Sequence, residues 1–241
     1  MLPMLILALD TCDPRGSVAL LRHESVLRVE VHATSEDYSS WLLPAISRVL
    51  TPARLTLRDI ELYAVAAGPG SFTGVRAGLT SVKAWSEVYN RPIAAVSRLE
   101  AVAADSTGSA LFVAAFIDAR RNQIFAALYH RQVSSLQRID DEMVIAPDMF
   151  LERCANLAGS ETIDWVSTDP ICLTQTPQWP SRRALNESVQ EVSAPLSPRI
   201  GQIGYRLAQQ GRVTDALALD ANYVRRSDAE LFWKGTPHHG S

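Results

Sequence analysis

Two aspartates close long apolar runs. Asp10 ends MLILALD at residues 4–10, and Asp118 falls at the end of LFVAAFIDA at 111–119. Each is followed by a polar, turn-prone stretch (Thr11 after the first, Ala119-Arg120 after the second). A carboxylate at a strand end can hold Mg²⁺, which favours carboxylates and water as ligands. It can equally cap a turn, as Asp does readily. A second feature lies between them: Gly68-Pro69-Gly70-Ser71-Phe72-Thr73-Gly74-Val75-Arg76-Ala77-Gly78-Leu79. Glycines between a strand and a helix can bare N–H groups at the helix N-terminus and cradle an anion. The plainer reading is a sharp turn whose glycines let the helix pack closely.

Several other chemistries are excluded by residue type and spacing. A phosphate-binding P-loop needs Gly-Lys-Ser/Thr, and no Lys follows any of these glycines. A nucleophile elbow needs serine at the centre of G-x-S-x-G, where Gly70 to Gly74 has Phe72. The partial G-x-G-x-x-x-G match to a dinucleotide fingerprint lacks a carboxylate at the end of the next strand. The five histidines (His23, His32, His130, His238 and His239) form no helical i, i+4 pair with one another or with Glu, so no metal site is expected. His130 closes a strand and reads as a surface residue, without a nucleophile to serve. Cys12, Cys154 and Cys172 are odd in number and widely spaced, which fits neither a disulfide framework nor a C-x-x-C metal site and suits a reducing cytoplasm.

Whatever these residues do, they need elements to hold them. The run at 4–10 predicts a buried strand, and GSVALLR and SVLRVEVH extend it into an antiparallel meander. A helix is expected over 37–50, a strand over 62–67, a helix over 73–89 and a strand over 92–96. Ser97-x-x-Glu100 then opens a further helix as a capping box. The second half starts alike: strands at 111–119, 122–130 and within 133–145, a helix at 147–157 and a strand at 163–167. A last helix, near 198–210, has Ser197 as N-cap, Pro198 at its first position and Gly211 beyond its end. The stretch 168–198 carries five of the 13 prolines and reads as an irregular connection. Residues 235–241 read as a loose tail. The organisation is a topological duplication, with lobes at 1–107 and 108–241.

Composition narrows the class. Of 241 residues, 47% are hydrophobic and 20% charged, an ordinary globular balance. With 23 basic against 26 acidic residues, the chain is a poor stand-alone nucleic-acid binder, because each neutralised phosphate needs a Lys or Arg. No apolar run reaches the roughly 18 residues of a membrane span, and the opening segment meets Asp10 too early for a signal peptide.

The run GPGSFTGVRAGL at 68–79 resembles the signature of the TsaB (YeaZ) family almost letter for letter. ILALDTCDPRGSVAL at 6–20, SSWLLPAISRVL at 39–50, VSRLEAVA at 96–103, IDARRNQIFAALY at 117–129 and NYVRRSDAE at 222–230 are similar to other parts of that family. The resemblance implies an α/β actin-like (ASKHA) fold of two ribonuclease-H-like lobes. It implies a non-catalytic scaffold that dimerises with the catalytic subunit TsaD, and assembles with TsaE, to make threonylcarbamoyladenosine at adenosine 37 of transfer RNAs reading ANN codons. No cofactor is required of the chain itself, ATP or ADP being held at most weakly at the complex interface. The isolated protein is expected to be a homodimer, cytoplasmic, off the membrane, and in touch with tRNA only through the complex.

The same resemblance sets the partner interface on the helices at 37–50 and 73–89, at Tyr38, Trp41, Leu42, Ala45, Ile46, Val49, Val75, Leu79, Val82 and Trp85. The apolar set on the first helix spans more than half its circumference, wider than one core-facing stripe requires. Trp41 and Trp85 are then either interface anchors or side chains folded back onto their own lobe. Ala45→Glu is expected to abolish pairing and leave the fold intact. The residues expected near any nucleotide are Asp10, Thr11, Gly68, Gly70, Ser71, Thr73, Gly74, Arg76, Asp118 and Arg120. Two positions depart from the family: Tyr38 replaces a common His, and Ala221 a common Pro. The rival reading is a small actin-like kinase or ATPase that uses Asp10, Asp118 and the 68–74 loop on Mg-ATP.

Overall fold

Apolar runs too long for a half-exposed strand build the centre of each of two sheets. In the computed structural model, which describes residues 4–32, 37–133, 135–222 and 224, the first sheet starts from β1 (Leu5–Asp10), buried from Ile6 onward. β2 (Ser17–Arg22) and β3 (Ser25–Val31) follow as an antiparallel meander. The chain then forms α1 (Tyr38–Leu50) and returns as β4 (Leu62–Ala66), parallel to β1. α2 (Phe72–Tyr89) leads to β5 (Ile93–Val96), parallel to β4, so the strand order is β3-β2-β1-β4-β5. α3 (Arg98–Ala104) closes the first half, and Ser97 caps it by accepting from the Glu100 N–H at 3.2 Å.

The second half repeats the plan. β6 (Phe112–Asp118), β7 (Ile124–Arg131) and the short β8 (Leu136–Arg138) form the meander, and β9 (Met143–Ile145) also pairs with β7. α4 (Pro147–Ala158) and β10 (Ile163–Ser167) follow, with β10 parallel to β6. The expected irregular stretch at 168–198 is corrected here. It holds α5 (Ile171–Thr174), α6 (Trp179–Arg183) and β11 (Val189–Glu191), a strand parallel to β10. β11 gives the second sheet the order β11-β10-β6-β7-β8 and makes it the counterpart of the first. A three-residue strand reading Val-Gln-Glu shows no hydrophobic period. Its neighbourhood is held instead by buried Trp179, edge-on to Trp165 at 5.9 Å, and by Glu187, which accepts from Trp165 Nε1 at 2.7 Å.

The last helix of each half crosses to the other half. α3 packs on β6, β7 and β10, while α7 (Ser197–Gln209) packs on β1, β2, β4 and β5. The helices therefore disregard a division of the chain at residue 107. Ser197 is not the N-cap of α7 but its first residue, fully buried. Its N–H donates to Ser17 Oγ at 3.1 Å, so a strand supplies the acceptor that a cap would have supplied. α7 lies close to the sheet because Gly204 has no side chain: a Cβ there would sit 2.7 Å from the Ala64 Cβ. The main core fills both faces of the first sheet and the near face of the second. A second cluster around Phe116, Phe150 and Trp165 fills the far face under α4. Among the described residues no helix is long and apolar enough to cross a membrane.

Gly204→Val is expected to push α7 off β4 and cost about 2–3 kcal/mol, as overpacked cores do. Thermal unfolding monitored by circular dichroism would then fall by about 5–10 °C.

Candidate functional site

Where the two sheets meet, a cleft of about 620 Å³ opens between the loop after β1, the start of α2 and the β6–β7 turn. Its floor is a chain of ion pairs. Arg98, first residue of α3, is only 1% exposed. Its Nε bonds Asp10 Oδ2 at 3.1 Å, and Nη2 bonds Asp13 Oδ2. Asp10, fully buried, accepts the Cys12 N–H at 2.9 Å through its other oxygen. Asp13 in turn meets Arg15, which bonds Asp169 Oδ1 at 2.9 Å and the Thr168 carbonyl at 3.1 Å. Arg15 stands on the β1–β2 loop and Asp169 follows β10, so this pair joins the two halves. Burial would raise the Asp13 carboxyl pKa. The Arg98 guanidinium beside it, with help from Arg15, outweighs burial and holds it below the usual carboxylate range.

The two strand-end aspartates are both engaged within the chain. Asp10 is occupied by Arg98 and a backbone amide. Asp118 accepts the Arg120 N–H at 2.7 Å and pairs with the Arg120 guanidinium at 3.3 Å, capping the β6–β7 turn. That turn holds Arg120, Arg121 and Asn122 at φ of 63°, 55° and 56°, a left-handed run costly for non-glycine residues. Among the described residues, no three His, Cys, Asp or Glu side chains converge as metal ligands.

The glycine run follows the plainer of its two readings. Ser71 N–H donates to the Cys12 carbonyl at 2.7 Å, and Thr11 Oγ1 donates to the Gly74 carbonyl at 2.6 Å. A Cβ on Gly74 would lie 2.0 Å from the Thr11 carbonyl oxygen, so only glycine lets α2 lie against the end of β1. Gly68 and Gly70 pack on Asn222 and Cys12. The Gly68 carbonyl accepts the Arg98 N–H at 2.8 Å. Thr73 and Arg76 face solvent on the first turns of α2, with the Arg76 guanidinium 3.7 Å over the Phe72 ring.

The helix residues expected at a partner are placed differently. Trp41, Leu42, Ala45, Ile46 and Val49 on α1, and Val75, Leu79 and Val82 on α2, are buried in their own lobe. α1 lies over β2 and β3 and also against α2. Two neighbours cover it, which accounts for an apolar face broader than one stripe. Trp85 is half-buried beside Tyr63 at 5.7 Å. The outer sides of the two helices present Leu43 (61% exposed), Pro44, Ser47, Ala84 and Val88 (72% exposed). Tyr38 is half-buried at the start of α1. It stacks on His32 at 4.3 Å and donates its hydroxyl to the Asp13 carbonyl, so α1 is tied to the cleft floor. Fully buried Ala45 cannot host the test expected of it: Ala45→Glu would bury a carboxylate and unfold the lobe.

Sequence reasoning passed over Asp13, Arg15, Arg98 and Asp169. The spacing Asp10-x-x-Asp13 after a buried strand was an available signal for Asp13. Nothing local marks Arg98, which follows a cap residue and meets its partners only across the fold.

A family model described as "TsaD: tRNA N6-adenosine threonylcarbamoyltransferase" matches residues 30–169. The protein named "tRNA threonylcarbamoyladenosine biosynthesis protein TsaB" of Haemophilus influenzae is 31% identical, over 96% of this chain and 97% of its own length. The chain belongs to the TsaB (YeaZ) family. The TsaB of Bacillus subtilis is 27% identical over 95% of this chain and 98% of its own length. The structure of YeaZ from Pseudomonas aeruginosa superposes with a TM-score of 0.74 at 27% identity, covering 91% of this chain and 99% of that one. The fold of this TsaB-family chain is thus the two-lobed actin-like one. Most of the NYVRRSDAE match (residues 223 and 225–230), His238, His239 and the tail at 235–241 lie outside the described residues.

Arg98→Met is expected to leave Asp10 and Asp13 buried without their cation, costing about 3–5 kcal/mol at neutral pH. The pH dependence should weaken. In the wild type, Asp13 has a depressed pKa when folded. Its contribution is present above the unfolded value of about 3.9 and is lost as pH falls through the folded one. In the variant the Arg98 guanidinium no longer opposes burial at Asp13 and only Arg15 does, so less stability should be lost as pH falls from about 5 toward about 3. Denaturant unfolding across that range measures both slopes.

Proposed function

We propose that this protein serves in tRNA threonylcarbamoyladenosine biosynthesis as a non-catalytic subunit. It pairs with a TsaD-type catalytic partner and assembles with TsaE. Family membership and the names of its relatives support the pathway. The observation that carries the non-catalytic reading is the state of Asp10. An Mg-nucleotide site built on Asp10 would need that carboxylate free to face the metal or its waters, and here Asp10 is fully buried and paired to Arg98. Asp118, its counterpart in the second lobe, is engaged by its own turn. The partner face is the outer side of α1 and α2, around Leu43, Pro44 and Val88. Two apolar helices offered side by side suit a four-helix packing across a pseudo-two-fold, with TsaD or, in its absence, a second copy. tRNA is reached through the complex, since this chain carries more acidic than basic residues.

The cleft volume favours one competing reading, an independent Mg-ATP-dependent kinase or ATPase. Calorimetry on the isolated chain separates the two. Weak or absent Mg-ATP binding and no turnover are expected, and tight binding with turnover would replace the scaffold reading. Reconstitution with TsaD, TsaE, ATP and the threonylcarbamoyl-adenylate donor should modify tRNA only when this chain is added. Leu43→Glu, on an exposed position, should keep the fold and weaken co-elution with TsaD by tenfold or more. Modification that proceeds equally without the chain would overturn the proposal.

A further inference from the structure

The outermost strand of the first sheet is built unlike an edge that avoids company. β3 pairs with β2 alone, and every residue in it except Glu30 is exposed. Val26, Leu27, Val29 and Val31 are 41%, 41%, 38% and 50% exposed. Natural edges are usually blunted by charged side chains, above all Lys, by Pro, by bulges or by being very short. β3 runs for seven residues with neither Lys nor Pro, and its one interruption is the register shift opposite Leu20 and Leu21. His32 N–H donates to the Gly16 carbonyl at 2.8 Å, so the hydrogen-bonded pairs with β2 fall at the even-numbered residues. By alternation the N–H and C=O of Val29 and Val31 point to the open edge. The two faces differ. Glu30 bonds Arg48 of α1 at 3.1 Å, so Arg28 and Glu30 lie on the α1 side, and the valines opposite Ala19 and Ser17 lie on the α7 side.

We infer that β3 is a self-pairing edge that joins two copies of this chain into a continuous ten-stranded antiparallel-centred sheet. The charges select both the occupant and the register. A two-fold axis normal to the sheet pairs β3 with itself antiparallel and keeps both α1 helices on one face. Centring that axis on Arg28 sets two arginines opposite each other, and centring it on Glu30 sets two glutamates opposite. Like charges in that position are destabilising. Centring it on Val29 sets Arg28 of each copy opposite Glu30 of the other, twice, and makes Val29 a hydrogen-bonded pair with itself. The strand is thus complementary to its own sequence in one register. The outer side of α1 and α2 stays uncovered, so this contact is separate from the proposed partner face.

The test uses the full chain carrying Leu43→Glu, which removes helix-face association from the readout. Sedimentation at about 100 µM, where a contact with Kd near 10 µM is mostly formed, should show a dimer. Arg28→Glu or Glu30→Arg alone should weaken it by tenfold or more. The double exchange Arg28→Glu with Glu30→Arg should restore it, because the opposed pairs are rebuilt with signs reversed. Arg28 is exposed and Glu30 half-buried at the surface, and circular dichroism should show an unchanged fold. A monomeric Leu43→Glu protein, or a dimer indifferent to the single exchanges, would overturn the inference. Capture of a foreign extended peptide by a monomeric chain would do the same and give the edge to another strand. Failure of the helix-face proposal reads out separately, as co-elution with TsaD that Leu43→Glu leaves unchanged.

Discussion

A guanidinium sealed between two carboxylates is the interaction on which the remaining architecture turns. Arg98 begins a helix that packs on the second sheet, while Asp10 and Asp13 end a strand of the first and begin its loop. Charges removed from water attract strongly but are costly to isolate, so a buried pair tolerates little displacement of either member. Asp13 passes the link to Arg15, and Arg15 to Asp169 after β10. The relation between the lobes is therefore written in four consecutive ion pairs, the innermost dry and the outermost at the lip of the cleft.

The same ion pairs line the cleft between the lobes and engage the carboxylate that ends β1. The duplication brings the ends of β1 and β6 to one place, and each strand ends in Asp. In this chain Arg98 is the buried cation beside Asp10. Thr11 and Cys12 draw the glycine run down onto the β1 end through their backbone and hydroxyl groups. The glycines so used serve packing, and the amides of Ser71 and Gly74 are satisfied within the protein.

What was legible in the sequence follows from how local its cause is. β1, β2, β4 and β6 are apolar runs that need no distant information, and α1, α2 and α4 carry a clear helical period. The strand-end aspartates and the duplicated order are visible for the same reason. β11 was not legible, because three half-exposed residues become a strand only when β10 lies beside them. The first turn of α7 was misread because Ser17, far away in sequence, replaces the expected cap. The breadth of the apolar face on α1 was real, but breadth alone does not distinguish a partner from a second internal neighbour. α2 supplied that neighbour. Arg98 was invisible because a buried arginine is recognised by its carboxylates, and those lie 85 and 88 positions away in the chain.

Tyr38 brings these threads together. The hydroxyl reaches the carbonyl of Asp13, and the ring fills the space that Gly16 leaves open, with His32 stacked on it and Trp41 edge-on. A histidine in its place would be shorter than tyrosine and would present a nitrogen where Tyr38 presents a phenol. In this chain the N-terminal turn of α1 and the loop bearing Asp13 and Arg15 consequently form one body: a displacement of the helix moves the carbonyl, and with it the carboxylate that Arg98 and Arg15 share. A surface on the outer side of α1 is then one side chain removed from the charges that hold the lobes together. Through this coupling the position of the outer face of α1 and the charges that join the lobes are set together.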